Sequence, residues 1–227
     1  MKTIAIIPAR AGSKRILKKN IKLFCGKPII EYSISAALSS GLFGEVMVST
    51  DSEEIATLAQ ELGAKVPFMR SEKTSTDTAT TSEVLLEVLE QYRNNGIDFN
   101  LFSCIYPTAP FLTPEKLSAA MKMFIESGCD SLIPVVRFSY PPQRGLVIVD
   151  KLVRMRHPEQ IDARSQDLEP IYHDCGQFYF CKVTPFFEQK SFFTNSTTPY
   201  ILSELQVQDI DNEEDWEIAE IKFQLMR

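Results

Sequence analysis

The chain has 227 residues, 44% hydrophobic and 24% charged, with a formal net charge of −6. That length supports one sizeable core, and the acidic balance argues against a general nucleic-acid binder. No run approaches the ~20 apolar residues of a membrane span, and the chain opens directly on a strand pattern without a leader-like segment. The five cysteines (Cys25, Cys104, Cys129, Cys175, Cys181) form no CxxC pair, so a cytoplasmic protein with neither a disulfide framework nor a zinc site is expected.

Residues 3–8, Thr-Ile-Ala-Ile-Ile-Pro, read as a strand buried on both faces. The loop 9–27 follows. Eight Lys and Arg (Lys2, Arg10, Lys14, Arg15, Lys18, Lys19, Lys22, Lys27) fall within the first 27 residues with no Asp or Glu, leaving the other 200 at −14. A cationic, small-residue loop at the end of a buried strand is where an α/β protein holds a polyanion.

Pro28 opens a helix from Ile29 to about Ser40, which Gly41 ends. Residues 45–50 form the next strand. Asp51-Ser52-Glu53-Glu54 then caps a helix to about Leu62, Gly63 closes it, and Val66-Pro67-Phe68 has the composition of a short strand. Residues 71–82 are a polar loop leading into a helix from Ser82 to Tyr92, and 100–106 is another buried strand that Pro107-Thr108-Ala109-Pro110 expels from the sheet. A helix from Thr113-Pro114-Glu115 to Ser127 and a strand at 130–136 bring the count to about five parallel strands. The expected fold is therefore α/β, a doubly wound and mostly parallel sheet in one domain spanning 1–227.

The pattern changes after residue 138. Leu146–Val149 and Leu152–Met155, joined at Asp150-Lys151, predict an antiparallel hairpin, and 157–174 is polar and irregular. A strand at 176–180, a short helix opened by Thr184-Pro185, two short strands within 199–207 and an amphipathic helix from Asn212 complete the chain.

The opening loop lacks both the Walker frame and the GxGxxG pattern. With only Gly12, side chains must supplement backbone donors: Arg10 offers a bidentate fork, and Lys14 and Lys19 act as point charges. Lys18, Lys19 and Lys22 also fit a merely solvated face. Asp209-Ile210-Asp211 places two carboxylates at i and i+2 between a strand and a helix. From spacing alone they suit a hard cation such as Mg²⁺ or, equally, an N-cap at Asp211 and a solvated edge at Asp209. His173 sits among polar residues before a strand, a candidate substrate contact.

Ile-Pro-Ala-Arg-x-Gly-Ser-Lys-Arg-Ile at 7–16, Lys19-Asn20-Ile21, Gly26-Lys27-Pro28, Val48-Ser49-Thr50-Asp51, Pro107-Thr108-Ala109-Pro110 and Asp209-Ile210-Asp211 resemble, in order, the blocks of the CMP-N-acylneuraminate synthetase (cytidylyltransferase) family. Residues 104–111 and 172–179 are most similar to its pseudaminic acid branch, as is Gln143-Arg144. The resemblance implies a Rossmann-like nucleotidyltransferase that moves CMP from CTP onto a nine-carbon 2-keto sugar acid with Mg²⁺, releasing pyrophosphate. It implies Arg10, Gly12, Ser13, Lys14 and Lys19 at the triphosphate, and Asn20, Arg70 and Thr81 at the nucleoside. It further implies Asp209 and Asp211 on the metal, with Arg10, Lys19 and Asp211 in catalysis. Tyr106, Gln143, His173, Gln177 and Tyr179 fall where the sugar should lie. The sialic acid enzymes carry Gln where this chain has Tyr106, which argues against N-acetylneuraminate and for a relative with different substituents. Pseudaminic acid is the expected sugar, with N-acetylneuraminate, legionaminate or 3-deoxy-manno-octulosonate as the alternatives. The family also implies a homodimer, with 139–170 as the insertion that reaches the partner or covers substrate. A nucleotide-binding regulatory module on the same fold would need the cationic loop but hardly the paired aspartates.

Overall fold

The computed structural model describes residues 1–226. β1 (Thr3–Pro8) leads through a long loop to a small clip, β2 (Leu23–Phe24) and β3 (Lys27–Pro28), and then to α1 (Ile29–Ser39), β4 (Glu45–Ser49) and α2 (Glu53–Glu61). After a polar loop come α3 (Thr81–Asn94), β5 (Leu101–Ile105), α4 (Pro114–Ser127) and β6 (Ser131–Arg137). The hairpin β7 (Leu146–Val149) and β8 (Leu152–Met155) precedes β9 (Tyr172–Asp174), β10 (Phe178–Lys182), α5 (Val183–Gln189), β11 (Thr197–Leu202) and α6 (Glu213–Leu225).

The sheet order is β11-β6-β10-β5-β1-β4, with β9 also paired to β6. β1 runs parallel to β4 on one side and β5 on the other. Because β1 is apolar after Thr3, both of its faces are buried. α1, α2 and α4 pack Ile30, Ile34, Ile55, Leu117 and Phe124 on one face, while α3 and α5 pack Leu85, Val88, Leu89 and Phe186 on the other. The mostly parallel, doubly wound arrangement is therefore present. The chain departs to opposite sides of β1, so a crevice opens at the carboxyl ends of β1 and β5, where sheets of this kind bind ligands.

Four expectations change. Val66-Pro67-Phe68 is not a strand: only Lys65 bridges to Met47, and Pro67 has no N–H to extend the ladder. The segment 199–207 holds one strand, because Ser203 and Gln206 form a capping box that turns the chain into a 3-10 turn at Glu204–Gln206. The region 157–174 ends in the ordered strand β9, held antiparallel to β6. The loop 9–27 contains β2 and β3, joined by Cys25 and Gly26 with φ of 46° and 92°, the pair of positive values that a tight hairpin turn requires. Further on, β10 enters the middle of the sheet antiparallel to both β5 and β6. At α6 the N-cap is Asn212, whose side chain accepts from Asp215 N while Asp215 accepts from Asn212 N. Asp211 is thus relieved of the capping role.

Candidate active site

A cavity of about 640 Å³ occupies the crevice beyond β1 and β5. Its lining includes Arg10, Ser13, Lys14, Arg15, Lys19, Asn20, Arg70, Thr81, Tyr106 and Asp211. Residues scattered over 200 positions of chain therefore meet at one place.

The loop after β1 is shaped by its own backbone contacts. Ala11 N donates to Asp51 Oδ1 at 2.8 Å, tying the loop to the end of β4, and Asn20 Nδ2 donates to Arg10 O at 2.9 Å, closing it from behind. Asn20 is buried, so this amide sets the loop rather than only decorating it. Gly12 stands outside the lining, and a Cβ there would meet nothing within 4 Å.

Each cation of the loop has a local acceptor. Arg10 Nη1 donates to Asp77 Oδ1 at 2.6 Å and to Thr76 O at 3.2 Å, and Lys14 holds the other oxygen of Asp77. Hydrogen bonds from Lys14 and Arg10 keep the Asp77 carboxyl below its ordinary range. Arg15 pairs with Asp211 Oδ1 at 2.7 Å, and Lys18 with Glu54 at 2.7 Å. Lys19 Nζ donates to the carbonyl of Ile210, between the two aspartates. Burial pushes the Lys19 ammonium below its usual value, with Asp211 and Asp209 opposing. Asp209 shifts upward, first through burial and then through Asp211 beside it. Asp211 on the lining, with Asp209 two residues before it and a desolvated lysine beside them, makes a charge cluster suited to a metal cation. Among the described residues no group of three or more His, Cys, Asp or Glu converges as a metal site.

Ala79, Thr81 and Val84 bring the N-terminus of α3 to the cavity, where its first backbone amides favour negative charge. Arg70 is buried, donating to Ser49 O at 2.6 Å and Ser49 Oγ at 3.1 Å, and burial lowers its pKa. The Tyr106 hydroxyl lies 3.5 Å from Thr81 Oγ1.

Asp209 lies off the lining, as do the remaining sequence candidates. Tyr179 is buried behind Tyr106, its ring edge-on at 5.6 Å between centroids. Gln177 is buried, with Nε2 on Gln206 O at 2.6 Å and Oε1 without a partner. His173 packs on Phe138, and Gln143 Nε2 donates to Glu169 O at 2.8 Å. Sequence reasoning did not single out Asp77, Arg15 or Thr108 at the cavity. Asp77 was the one acid between Lys73 and Thr81, a signal visible only beside the cationic loop.

Comparison with known proteins agrees with this arrangement. A family model described as cytidylyltransferase matches residues 4–224. The chain is 39% identical to a pseudaminic acid cytidylyltransferase of Campylobacter jejuni over 226 residues, covering 99% of this chain and 97% of the relative. It is 36% identical to a CMP-N,N'-diacetyllegionaminic acid synthase of Legionella pneumophila over 234 residues, covering 99% and 97%. In fold it matches the structure of a CMP:2-keto-3-deoxy-manno-octonic acid synthetase complexed with CTP, with a TM-score of 0.71, 17% identity and full coverage of both chains. A cationic loop at the switch point, Asp211 on the same cavity and a family match over nearly every residue lead to one conclusion: the chain belongs to the cytidylyltransferase family, and it is a nucleotidyltransferase.

Proposed function

We propose that the protein transfers CMP from CTP to pseudaminic acid, releasing pyrophosphate. The observation that carries this reading is the meeting of the Arg10–Lys19 loop and Asp211 across one cavity, in a chain 39% identical over its length to a pseudaminic acid cytidylyltransferase. Tyr106, in a position where the sialic acid enzymes carry Gln, argues against N-acetylneuraminate as the sugar.

In this reading the hydroxyl of the sugar acid attacks the α-phosphorus. A P–O bond forms to the sugar, the bond to pyrophosphate breaks, and the hydroxyl proton passes to water. Negative charge builds on the leaving pyrophosphate. Arg10, Lys14 and Lys19 neutralise it, and the N-terminus of α3 adds its partial positive charge. Asn20 keeps the loop in register by holding the Arg10 carbonyl. Arg70 and Thr81 border the nucleoside.

Asp209 and Asp211 fit a Mg²⁺ ion, which takes one or two carboxylates and completes its shell with water and phosphate oxygens. The donor set is oxygen only, and the raised pKa of Asp209 is what a second positive charge would relieve. When bound, such an ion polarises the phosphates. Arg15, which pairs with Asp211, would yield it to the ion, and Lys19 holds the backbone between the two carboxylates through the Ile210 carbonyl.

The hairpin β7–β8 supports a homodimer. Cross-strand pairs share a face, so Leu146, Ile148, Val153 and Met155 form one apolar surface. Leu146, Ile148 and Val153 are all exposed in the single chain, which is costly for a surface without a partner. No helix among the described residues is long and apolar enough to cross a membrane.

The decisive experiment supplies CTP, Mg²⁺ and a panel of sugar acids, and measures pyrophosphate and CMP-sugar. Pseudaminic acid is expected to give the highest kcat/KM. Preferred turnover of a legionaminic or neuraminic acid would replace the substrate assignment, and no turnover with any of them would defeat the reading.

A further inference from the structure

The segment that carries Asp209 and Asp211 has no ladder to lie in. After the 3-10 turn Glu204–Gln206, residues 207–211 belong to no strand or helix. Side chains satisfy the carbonyls instead: Gln177 Nε2 donates to Gln206 O at 2.6 Å, Gln208 Nε2 to Asp209 O at 3.1 Å, and Lys19 to Ile210 O. Lys222, near the end of α6, takes two more, with Nζ 2.8 Å from Val207 O and 3.2 Å from Glu204 O. Its own helix carries Glu213, Glu214, Asp215, Glu217 and Glu220, yet among the described residues Lys222 makes no ion pair. Its ammonium is directed wholly at the backbone that leads to the acid pair.

The same helix holds the other end of the span. Asp215 Oδ2 accepts from Asp211 N at 2.9 Å and from Asn212 N at 3.1 Å. Asp215 and Lys222 are two helical turns apart, so they stand on one face of α6, about 10 Å from each other along its axis. Ile210 is buried in the cluster that also holds Trp216 and Ala219, two α6 residues between them. Residues 207–211 are thus strung along α6, fixed by a carbonyl at one end, by an amide at the other and by an apolar side chain within the span. Asp209 and Asp211 leave the backbone inside it. A backbone without a ladder depends on such partners, and removing one slackens the segment.

We propose that Lys222 is a positioning residue of the metal site: with Asp215 it stretches the backbone from Val207 to Asp211 along α6, and so sets the spacing and direction of the two carboxylates for a divalent cation. The proposal rests on the metal reading given above. Lys222 lies off the cavity lining and acts through the Val207 and Glu204 carbonyls. The phosphate loop has separate ties, to Asp51 at the end of β4 and to Asn20, which a slack span leaves in place. The loss therefore falls on metal-assisted binding and turnover, and not on the affinity for the nucleotide alone.

The test titrates CTP calorimetrically into the full chain, once with Mg²⁺ and once with a chelator. The ratio of the two affinities is the metal's contribution to binding, read without turnover. Lys222→Met keeps the side-chain stem and removes the donors. It is expected to shrink that ratio about tenfold, the usual effect of losing an outer-shell partner of a metal ligand, and to raise the Mg²⁺ concentration for half-maximal turnover by a similar factor. CTP affinity in the chelator should stay within about twofold of wild type, since the loop lies apart from the change. Lys222→Arg, which keeps charged donors, should recover most of the ratio. In combination with Asp211→Asn, Lys222→Met should remove no more of the ratio than Asp211→Asn alone, because both act on one ligand set. An unchanged ratio in Lys222→Met, an equal loss of CTP affinity with and without Mg²⁺, or a fully additive double variant would overturn the proposal. Should Lys222→Met fold poorly, judged by its thermal midpoint, Lys222→Gln takes its place with the same outcomes. Wild-type enzyme that binds CTP equally with Mg²⁺ and with chelator would defeat the metal reading, and the proposal with it. A wild-type ratio that persists in Lys222→Met defeats the proposal alone.

Discussion

Asp77 Oδ1 lies 2.6 Å from Arg10 Nη1, and its second oxygen is taken by Lys14. The carboxylate thus sits on the two cations best placed to hold a phosphate. In the proposed reading, CTP binding displaces it. Because Lys14 and Arg10 hold its pKa down, mild acid does not free the loop; a more highly charged anion does. Asp77→Asn is expected to lower KM for CTP by about two- to fivefold, the range of an exposed ion pair. Initial rates at varied CTP check this, and an increase in KM would show that Asp77 helps the nucleotide instead of competing with it.

Asp211→Asn removes half of the acid pair while leaving the phosphate loop in place. Turnover should fall by about a hundredfold or more, and CTP binding without metal should change only a few-fold. Calorimetric titration with CTP alongside the pyrophosphate assay separates the two effects. Parallel loss of both would mean that Asp211 holds the loop through Arg15.

Glu87 anchors the mobile-looking composition of 71–80 to α3. It accepts from Ser71 N at 2.9 Å, Ser71 Oγ at 2.6 Å and Thr74 Oγ1 at 2.7 Å. Burial acts to raise its pKa, but these hydrogen bonds together outweigh it and the net shift is downward. A carboxyl with a depressed folded-state pKa contributes stability above its unfolded pKa and loses it as pH falls through the folded value. Glu87→Gln should therefore lower stability by about 1 kcal/mol at neutral pH, after allowance for solvent screening, with the deficit shrinking on acidification. Thermal midpoints from pH 3 to 7 test the sign.

Ile148→Asp puts a charge at the centre of the apolar hairpin face. The wild type is expected to sediment as a dimer at micromolar concentration and the variant as a folded monomer. A variant that remains dimeric would place the subunit contact elsewhere.

Much of this architecture was legible because local chemistry dictated it. β1, β4 and β5 are mostly apolar runs, and Thr80, Thr113 and Ser52 cap their helices in the usual way. β10 was readable as a strand but not as an antiparallel one, since no residue within 178–182 encodes which neighbours it meets. The same limit applied at the site. Arg10 and Lys14 announced a polyanion, but their partner Asp77 lies 67 residues from Arg10 and follows no period. Whether Asp211 or Asn212 capped α6 depended on one residue of register, and only the fold showed that the asparagine takes it.

The late arrival of β10 has a consequence for synthesis. Its two neighbours, β5 and β6, are complete by residue 137, but the strand between them ends at 182. Until that stretch leaves the ribosome, the inner edge of β5 is an unpaired row of amides beside Phe102 and Ile105. The nascent chain must carry an open seam through its centre for some 45 residues. Chaperone dependence during translation, and truncations ending between 137 and 177 that aggregate where the full chain does not, are the behaviours such a seam entails.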